Sequence, residues 1–322
     1  MKIELDFDPF FLFKSPIKQT IMGSLLCFSN EPKALIEYVL LPDKDQLAMH
    51  VSTPLNWNDN NLTVILVHGL CGSHRSTQLV RLSYKLLGYN IRTIRLDLRG
   101  CGSGRGLAQR TYHSGSCGDI FEAVKLIKNE TPNSPIIVIG YSLGGNMVLK
   151  MAGDLKEKGK DYFKKVIALS PPVDLKKSVE HFEHPKNKLF LRYFSKLLKE
   201  EIEYRKRVFE DFPKIDLPNN MTITEFNEQF IVPFFGFKDL EDYYLKASAI
   251  YVIKDIKVNT KILFSEDDPL VYPNSLTDLE EHPENIEVYS TKNGGHLGYL
   301  GNPRSKRGFY WLDSLLLDWI LN

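Results

Sequence analysis

The sequence predicts an α/β protein: a mostly parallel, doubly wound sheet carrying a helical cap insertion. Two observations carry this expectation. Short apolar runs at 64–67, 91–96, 136–139 and 166–169 alternate with helix-length patterns at 78–87, 118–128 and 143–154. That alternation places crossover helices on both faces of a parallel sheet. It then stops after Ser170-Pro171-Pro172 and resumes at Thr260. The residues between, about 174–248, are charged, aromatic and helix-like, with candidate helices at 189–207 and 224–230.

The elements follow in order. Residues up to about Trp57 form a lead-in with strand-like pieces at 34–40 and 46–52. The βα alternation occupies the next hundred or so residues, and the insertion follows it. A strand at 260–265, a second at 286–289 and a closing helix at 307–321 complete the sheet. The 322 residues therefore read as one domain, with a core of about 1–173 and 249–322 and a cap of about 174–248. A single unit of this size is ordinary for α/β folds.

The densest chemical signal is the run Ile136-Ile137-Val138-Ile139-Gly140-Tyr141-Ser142-Leu143-Gly144-Gly145. A strand enters Gly-x-Ser-x-Gly and a helix leaves it. That turn holds its central residue in a strained conformation, and glycines beside it remove the obstruction. Ser142 would then stand exposed at the carboxyl edge of the sheet. A serine hydroxyl needs a base, and the base needs an orienting group. In this architecture the acid and then the histidine follow the serine along the chain. The strand at 260–265 ends in Glu266-Asp267-Asp268-Pro269, and the strand at 286–289 leads to Asn293-Gly294-Gly295-His296. An acidic turn alone reads as surface, and a loop histidine alone reads as merely polar. Their order, each after a strand, points to a catalytic set. Oxyanion donors are expected at the backbone N–H of Leu143 and at that of Leu70, in the His68-Gly69-Leu70-Cys71-Gly72 loop after the 64–67 run. His68 precedes the serine and reads as structural.

These motifs resemble the YheT-like branch of the α/β-hydrolases. The resemblance runs from Ser15-Pro16-Ile17-Lys18-Gln19-Thr20 through His68-Gly69-Leu70, Arg99-Gly100-Cys101-Gly102 and Tyr112-His113-Ser114-Gly115 with Asp119. It continues through Gly140-Tyr141-Ser142, Asn146, Ser170-Pro171-Pro172, Tyr243-Tyr244, Asp267-Asp268-Pro269 and Gly294-Gly295-His296. It implies a triad of Ser142, Asp268 and His296. It also places the acid directly before Pro269, which leaves Asp267 as the second choice, a solvated or capping carboxylate. Two departures are visible: Ile17 stands where the family usually has histidine, and Asn259 where a proline often precedes the acid-bearing strand.

Composition agrees with a soluble enzyme: 43% hydrophobic, 25% charged and a net charge of +1, which gives no argument for nucleic acid or for an anionic membrane surface. The four cysteines, Cys27, Cys71, Cys101 and Cys117, show neither Cys-x-x-Cys nor a zinc pattern. They read as free thiols of a reducing compartment, hence a cytoplasmic protein without metal or cofactor. Animal relatives in this family carry an N-terminal membrane anchor. Here Met1 to Asp8 carries acids, and no run approaches the roughly 20 apolar residues of a spanning helix. The aromatic stretch 9–13 leaves room for peripheral membrane contact. The expected reaction is cleavage of carboxylic esters with a short- to medium-chain acyl group. An acyltransferase would use the same site, and a ligand-binding hydrolase fold would not need an intact triad. The expected substrate is a small-molecule ester or lipid; the sequence sets no oligomeric state. Phe230, Phe234, Phe235, Phe237, Tyr243 and Tyr244 are the candidate linings of an acyl pocket.

Overall fold

The computed structural model describes residues 2–275 and 283–322. Among the described residues, nine strands form one sheet: β1 (Lys2–Glu4), β2 (Leu35–Leu40), β3 (Gln46–Ser52), β4 (Thr63–Val67), β5 (Arg92–Asp97), β6 (Ile136–Tyr141), β7 (Lys165–Leu169), β8 (Asn259–Ser265) and β9 (Ile286–Thr291). Their order is β1-β9-β8-β7-β6-β4-β5-β3-β2. Strands β1 through β5 along that order are parallel, and β3 and β2 close the far edge antiparallel. The alternation of apolar runs and helices is thus realised as a parallel sheet. β4, β6 and β7 are buried along their whole length, which is why they read as continuous apolar runs and not as alternating ones.

Alternate residues of these strands serve two cores. Ile65, Val67, Ile136 and Val138 face one core, and Val64, Leu66, Ile137 and Ile139 face the other. Helices α1 (Pro16–Leu25), α2 (Thr77–Leu87), α3 (Cys117–Glu130) and α4 (Leu143–Leu155) lie among the first strands. α2 contributes Leu79, Leu82 and Leu86 to one core, while α3 and α4 contribute Ile120, Val124, Met147 and Leu149 to the other. The sequence reading did not contain α1 or β1. α1 lies in the lead-in, where strand-like pieces dominated the pattern, and β1 has three exposed residues with no apolar period.

Between β7 and β8 the chain forms α5 (Leu175–Phe182), α6 (Lys188–Val208), α7 (Ile223–Phe226), α8 (Val232–Phe235) and α9 (Leu240–Ala247). A π-helical turn, Asn227–Ile231, joins α7 to α8. The closing helix, α10 (Trp311–Leu321), starts four residues later than expected, because Gly308 takes φ +69° in a turn that precedes it. The register aligns Val67 with Gly140, Tyr141 with Leu169, and Ser265 with Thr291. The carboxyl ends of β4, β6, β7, β8 and β9 thereby share one edge.

Candidate active site

Ser142 follows β6 and opens α4. Its backbone sits at φ +53°, ψ −120°, a conformation that non-glycine residues rarely adopt. Two contacts around it require the absence of a side chain. A Cβ on Gly140 would lie 2.3 Å from the Gly144 carbonyl, and one on Gly144 would lie 2.5 Å from the His68 carbonyl. The Ser142 N–H donates to the Leu169 carbonyl at 2.8 Å, which ties the turn to β7.

Ser142 Oγ lies 2.8 Å from His296 Nε2, and His296 Nδ1 lies 2.8 Å from Asp268 Oδ2. The carboxylate can only accept, so the ring proton sits on Nδ1 and the bare Nε2 faces the serine hydroxyl. Asp268 is buried, and its other oxygen accepts the N–H groups of Leu270 and Val271 at 2.8 and 3.0 Å. That turn fixes the carboxylate plane. Of the two roles expected for Asp267, solvated or capping, it takes the second. It is half-buried, and its Oδ1 accepts from Ser265 Oγ at 2.5 Å and from the Gly295 N–H at 2.8 Å. It ties the acid loop to the histidine loop, and burial pushes its carboxyl above the usual range.

The N–H groups of Leu70 and Leu143 have no backbone hydrogen-bond partner among the described residues, and both residues line the same cleft as Ser142 and His296. The Leu70 loop is held from behind. Cys71 takes φ +55°, and its N–H donates to the Tyr112 hydroxyl at 2.8 Å. His68 is buried. The Leu98 N–H donates to its Nε2 at 3.1 Å, which leaves Nδ1–H to donate to the Gly69 carbonyl at 2.7 Å. Burial lowers its pKa, so the ring is a neutral brace.

Several residues that hold the site were not identified from sequence. Thr20 Oγ accepts the His296 N–H at 2.9 Å. Gln19, fully buried, donates to the Leu300 carbonyl at 3.0 Å and accepts the Leu300 N–H at 2.8 Å. Both lie on α1; Ile17, the departure from the family pattern on the same helix, is exposed. From the insertion, His181 Nε2 donates to the Asp268 carbonyl at 3.0 Å, and Asn187 Nδ2 donates to the Pro269 carbonyl at 2.6 Å. Asn146 on α4 reaches both sides, donating to the Ser114 and Ala247 carbonyls and accepting the Ala249 N–H, each at 2.9 Å. Gln19 and Thr20 were visible as a motif; nothing in the sequence said what they touch.

The cleft measures about 1040 Å³. Of the six aromatics expected to line it, Tyr243 and Tyr244 do. Phe230 and Phe234 instead stack on each other at 4.9 Å and pack on Phe212, while Phe235 and Phe237 pack edge-on against His113. The apolar wall comes largely from α5 and α6, including Phe182, Phe190 and Phe194. Cys71 and Cys101 also line the cleft, but burial pushes the Cys71 thiol up to about 12 and Cys101 well above its usual range. Neither is an activated nucleophile. All four cysteines are free.

A second polar cluster lies away from the serine. Glu31, His50 and His74 each bring a ligand-type atom within 4.8 Å of the others. Glu31 is already paired with Arg95 at 3.1 Å and Arg75 at 3.4 Å, and His74 with Asp97 at 2.8 Å. Two guanidinium groups beside the only carboxylate of the set oppose a cation there.

An alpha/beta hydrolase fold family model matches residues 63–303. The chain is 27% identical to "Putative esterase YheT" of Escherichia coli, over 87% of this chain and 82% of that protein. It is 25% identical to the monoacylglycerol lipase of Saccharomyces cerevisiae (80% and 58% covered) and 26% identical to the phospholipase ABHD3 of Mus musculus (76% and 63%). It thus spans less than two thirds of the length of the latter two. Among solved structures, the 2,6-dihydroxy-pseudo-oxynicotine hydrolase superposes with a TM-score of 0.59 at 19% identity, covering 94% of this chain and 70% of that one. The Pyrococcus furiosus esterase Pf2001 superposes with a TM-score of 0.57 at 18% identity, covering 90% of each. At these identities the likeness is one of fold.

Proposed function

The chain belongs to the α/β-hydrolase family, and on that premise we propose that it is a serine hydrolase of carboxylic esters with an apolar acyl group. The observation that carries this reading is the continuous hydrogen-bond chain Ser142–His296–Asp268, with both links at 2.8 Å. Three relatives named as an esterase, a monoacylglycerol lipase and a phospholipase support the substrate class.

Ser142 Oγ attacks the ester carbonyl as its proton passes to His296 Nε2. Asp268 holds the ring in the required tautomer and stabilises the imidazolium. The Leu70 and Leu143 N–H groups receive the oxyanion of the tetrahedral intermediate. The imidazolium protonates the leaving alcohol as the C–O bond breaks, and an acyl-enzyme remains. Water, deprotonated by His296, attacks that acyl group and releases the acid and free Ser142. No cofactor enters this scheme. The free thiols fit a cytoplasmic enzyme.

The insertion at about 174–248 acts as a cap on the core formed by 1–173 and 249–322, of which 276–282 lie outside the described residues. Its α5 and α6 side chains set the acyl length. Each added methylene should lower KM roughly three- to fourfold until the cleft is full, since burial contributes about 0.8 kcal/mol per CH₂. The expected optimum is a short- to medium-chain ester. A panel of p-nitrophenyl esters from acetate to palmitate tests the reading, together with a fluorophosphonate probe on wild type and Ser142→Ala. Labelling of the wild type alone is expected; equal labelling of the variant would refute the assignment.

A further inference from the structure

Helix α1 and the first half of α6 face the same cleft, and both leave apolar stripes in solvent. On α1 the stripe is Ile17, Ile21 and Leu25; on α6 it is Leu189 and Tyr193, continued by the half-buried Leu197. Spacing of four residues puts each set on one face of its helix. Leu25 is 68% exposed and Leu189 76%, so these are not the edges of a packed core. All six line the cleft that reaches Ser142 and His296. An exposed apolar rim continuous with a functional cleft marks an interaction surface.

Along the two stripes the charge is one-sided, although Glu200 and Glu201, just after the second stripe, also line the cleft. Residues 9–30 carry Lys14 and Lys18 and no carboxylate, and residues 184–199 carry Lys186, Lys188, Arg192, Lys196 and Lys199 and no carboxylate. The whole chain has 40 acidic residues and a net charge of +1, so two acid-free, lysine-bearing segments on one rim depart from its average. Lys14, Lys18, Lys186, Lys188, Arg192 and Lys196 are exposed; among the described residues the only carboxylate paired with any of them is Glu200, 3.7 Å from Lys196. Apolar side chains flanked by cations are the composition of helices that lie in a membrane interface.

We propose that the mouth of the cleft, between α1 and α6, docks on a lipid surface bearing anionic headgroups. The apolar stripes enter the headgroup boundary, the flanking lysines and arginine sit among the phosphates, and the cleft opens onto the lipid phase. No helix among the described residues is long and apolar enough to cross a membrane, so the contact is with one leaflet. The docking does not depend on the ester chemistry proposed above.

The test is co-sedimentation of the full chain with vesicles of ether-linked phosphatidylcholine and phosphatidylglycerol, which no esterase can cleave. Wild type should pellet with these vesicles and stay largely in the supernatant with phosphatidylcholine alone. Lys18→Gln and Lys188→Gln should each weaken binding about fivefold, the equivalent of ~1 kcal/mol per cation at an anionic leaflet. Leu25→Asp combined with Leu189→Asp should weaken it roughly tenfold or more. All four positions are exposed, so a Tm equal to wild type checks that the variants fold. Wild type that fails to pellet with anionic vesicles overturns the proposal. So does a double aspartate variant that pellets like wild type, or a concentration-dependent dimer that the double variant abolishes.

Discussion

Ser142 and His296 stand 2.8 Å apart and are held there in opposite ways. Everything that shapes the serine turn is close in sequence or in an adjacent strand: β6 before it, α4 after it, two glycines, and one hydrogen bond to β7. The histidine lies on a loop whose N–H is held by Thr20, 276 positions earlier, and whose next turn is pinned by Gln19. Its acid partner is braced from the insertion by His181 and Asn187. The proposed nucleophile is therefore a local structure, and the proposed base is a tertiary one. Substitutions near the serine should act on chemistry directly, whereas the base should respond to residues far away in the chain.

The largest effect is expected at the local pole. Ser142→Ala should reduce kcat by about 10⁶-fold, as for loss of a serine nucleophile in other hydrolases, with little change in Tm. Substantial residual turnover would break the comparison at its root. Next comes the acid. Asp268→Asn should cost about 10⁴-fold in kcat, because the amide favours the wrong histidine tautomer. Asp267→Asn keeps an acceptor for Ser265 and Gly295, and should cost no more than about tenfold. The reverse ranking in steady-state kinetics would move the orienting role to Asp267.

A pH series probes how firmly the insertion clasps the core. His113 packs against Phe235, Phe237 and Tyr243, and burial, with Arg110 and Arg99 nearby, lowers its pKa to about 4. Its unfolded value is about 6.5. A depressed base contributes stability that is complete above the unfolded pKa and is lost as pH falls toward the folded one. Urea unfolding should therefore show stability falling between pH 6.5 and about 4, with roughly 3 kcal/mol of the loss due to this ring. His113→Gln should flatten that part of the curve. An unchanged slope would mean that the clasp does not exclude water from His113.

The smallest effect sharpens the comparison most. Thr20→Val removes the acceptor of the His296 N–H while keeping the shape of α1. It should lower kcat about five- to tenfold at nearly constant KM, since a lost hydrogen bond of ~1–1.5 kcal/mol loosens the base and not substrate binding. Thr20 also lines the cleft, so a rise in KM at constant kcat would show that it acts through substrate contact and not by positioning His296.

Much of the frame was readable beforehand. β4, β6 and β7 are fully buried, so their apolar runs stand out, and Ser142 follows from where the β6 run stops; Asp268 and His296 follow the ends of the partly exposed β8 and β9. The short exposed β1 and the helix α1 left no such trace. The aromatics of the insertion show why composition does not assign roles. Phe230 and Phe234 pack on Phe212 to hold the insertion together, and phenylalanines on α5 and α6 wall the cleft. All are phenylalanines at helical spacing, and only the direction in which each helix face points separates them.

The sequence by itself determined the buried strands, the turn that presents Ser142 and the order of serine, acid and histidine, because each is written in the residues at that place in the chain. Only the tertiary structure decided that Asp267 bridges Ser265 to Gly295 while Asp268 Oδ2 lies against His296 Nδ1, and that α1 underpins the histidine loop. The physical reason is the same in each case. A hydrogen bond fixes a distance in space and leaves no periodicity along the chain, so a partner 276 positions away cannot be read from local pattern.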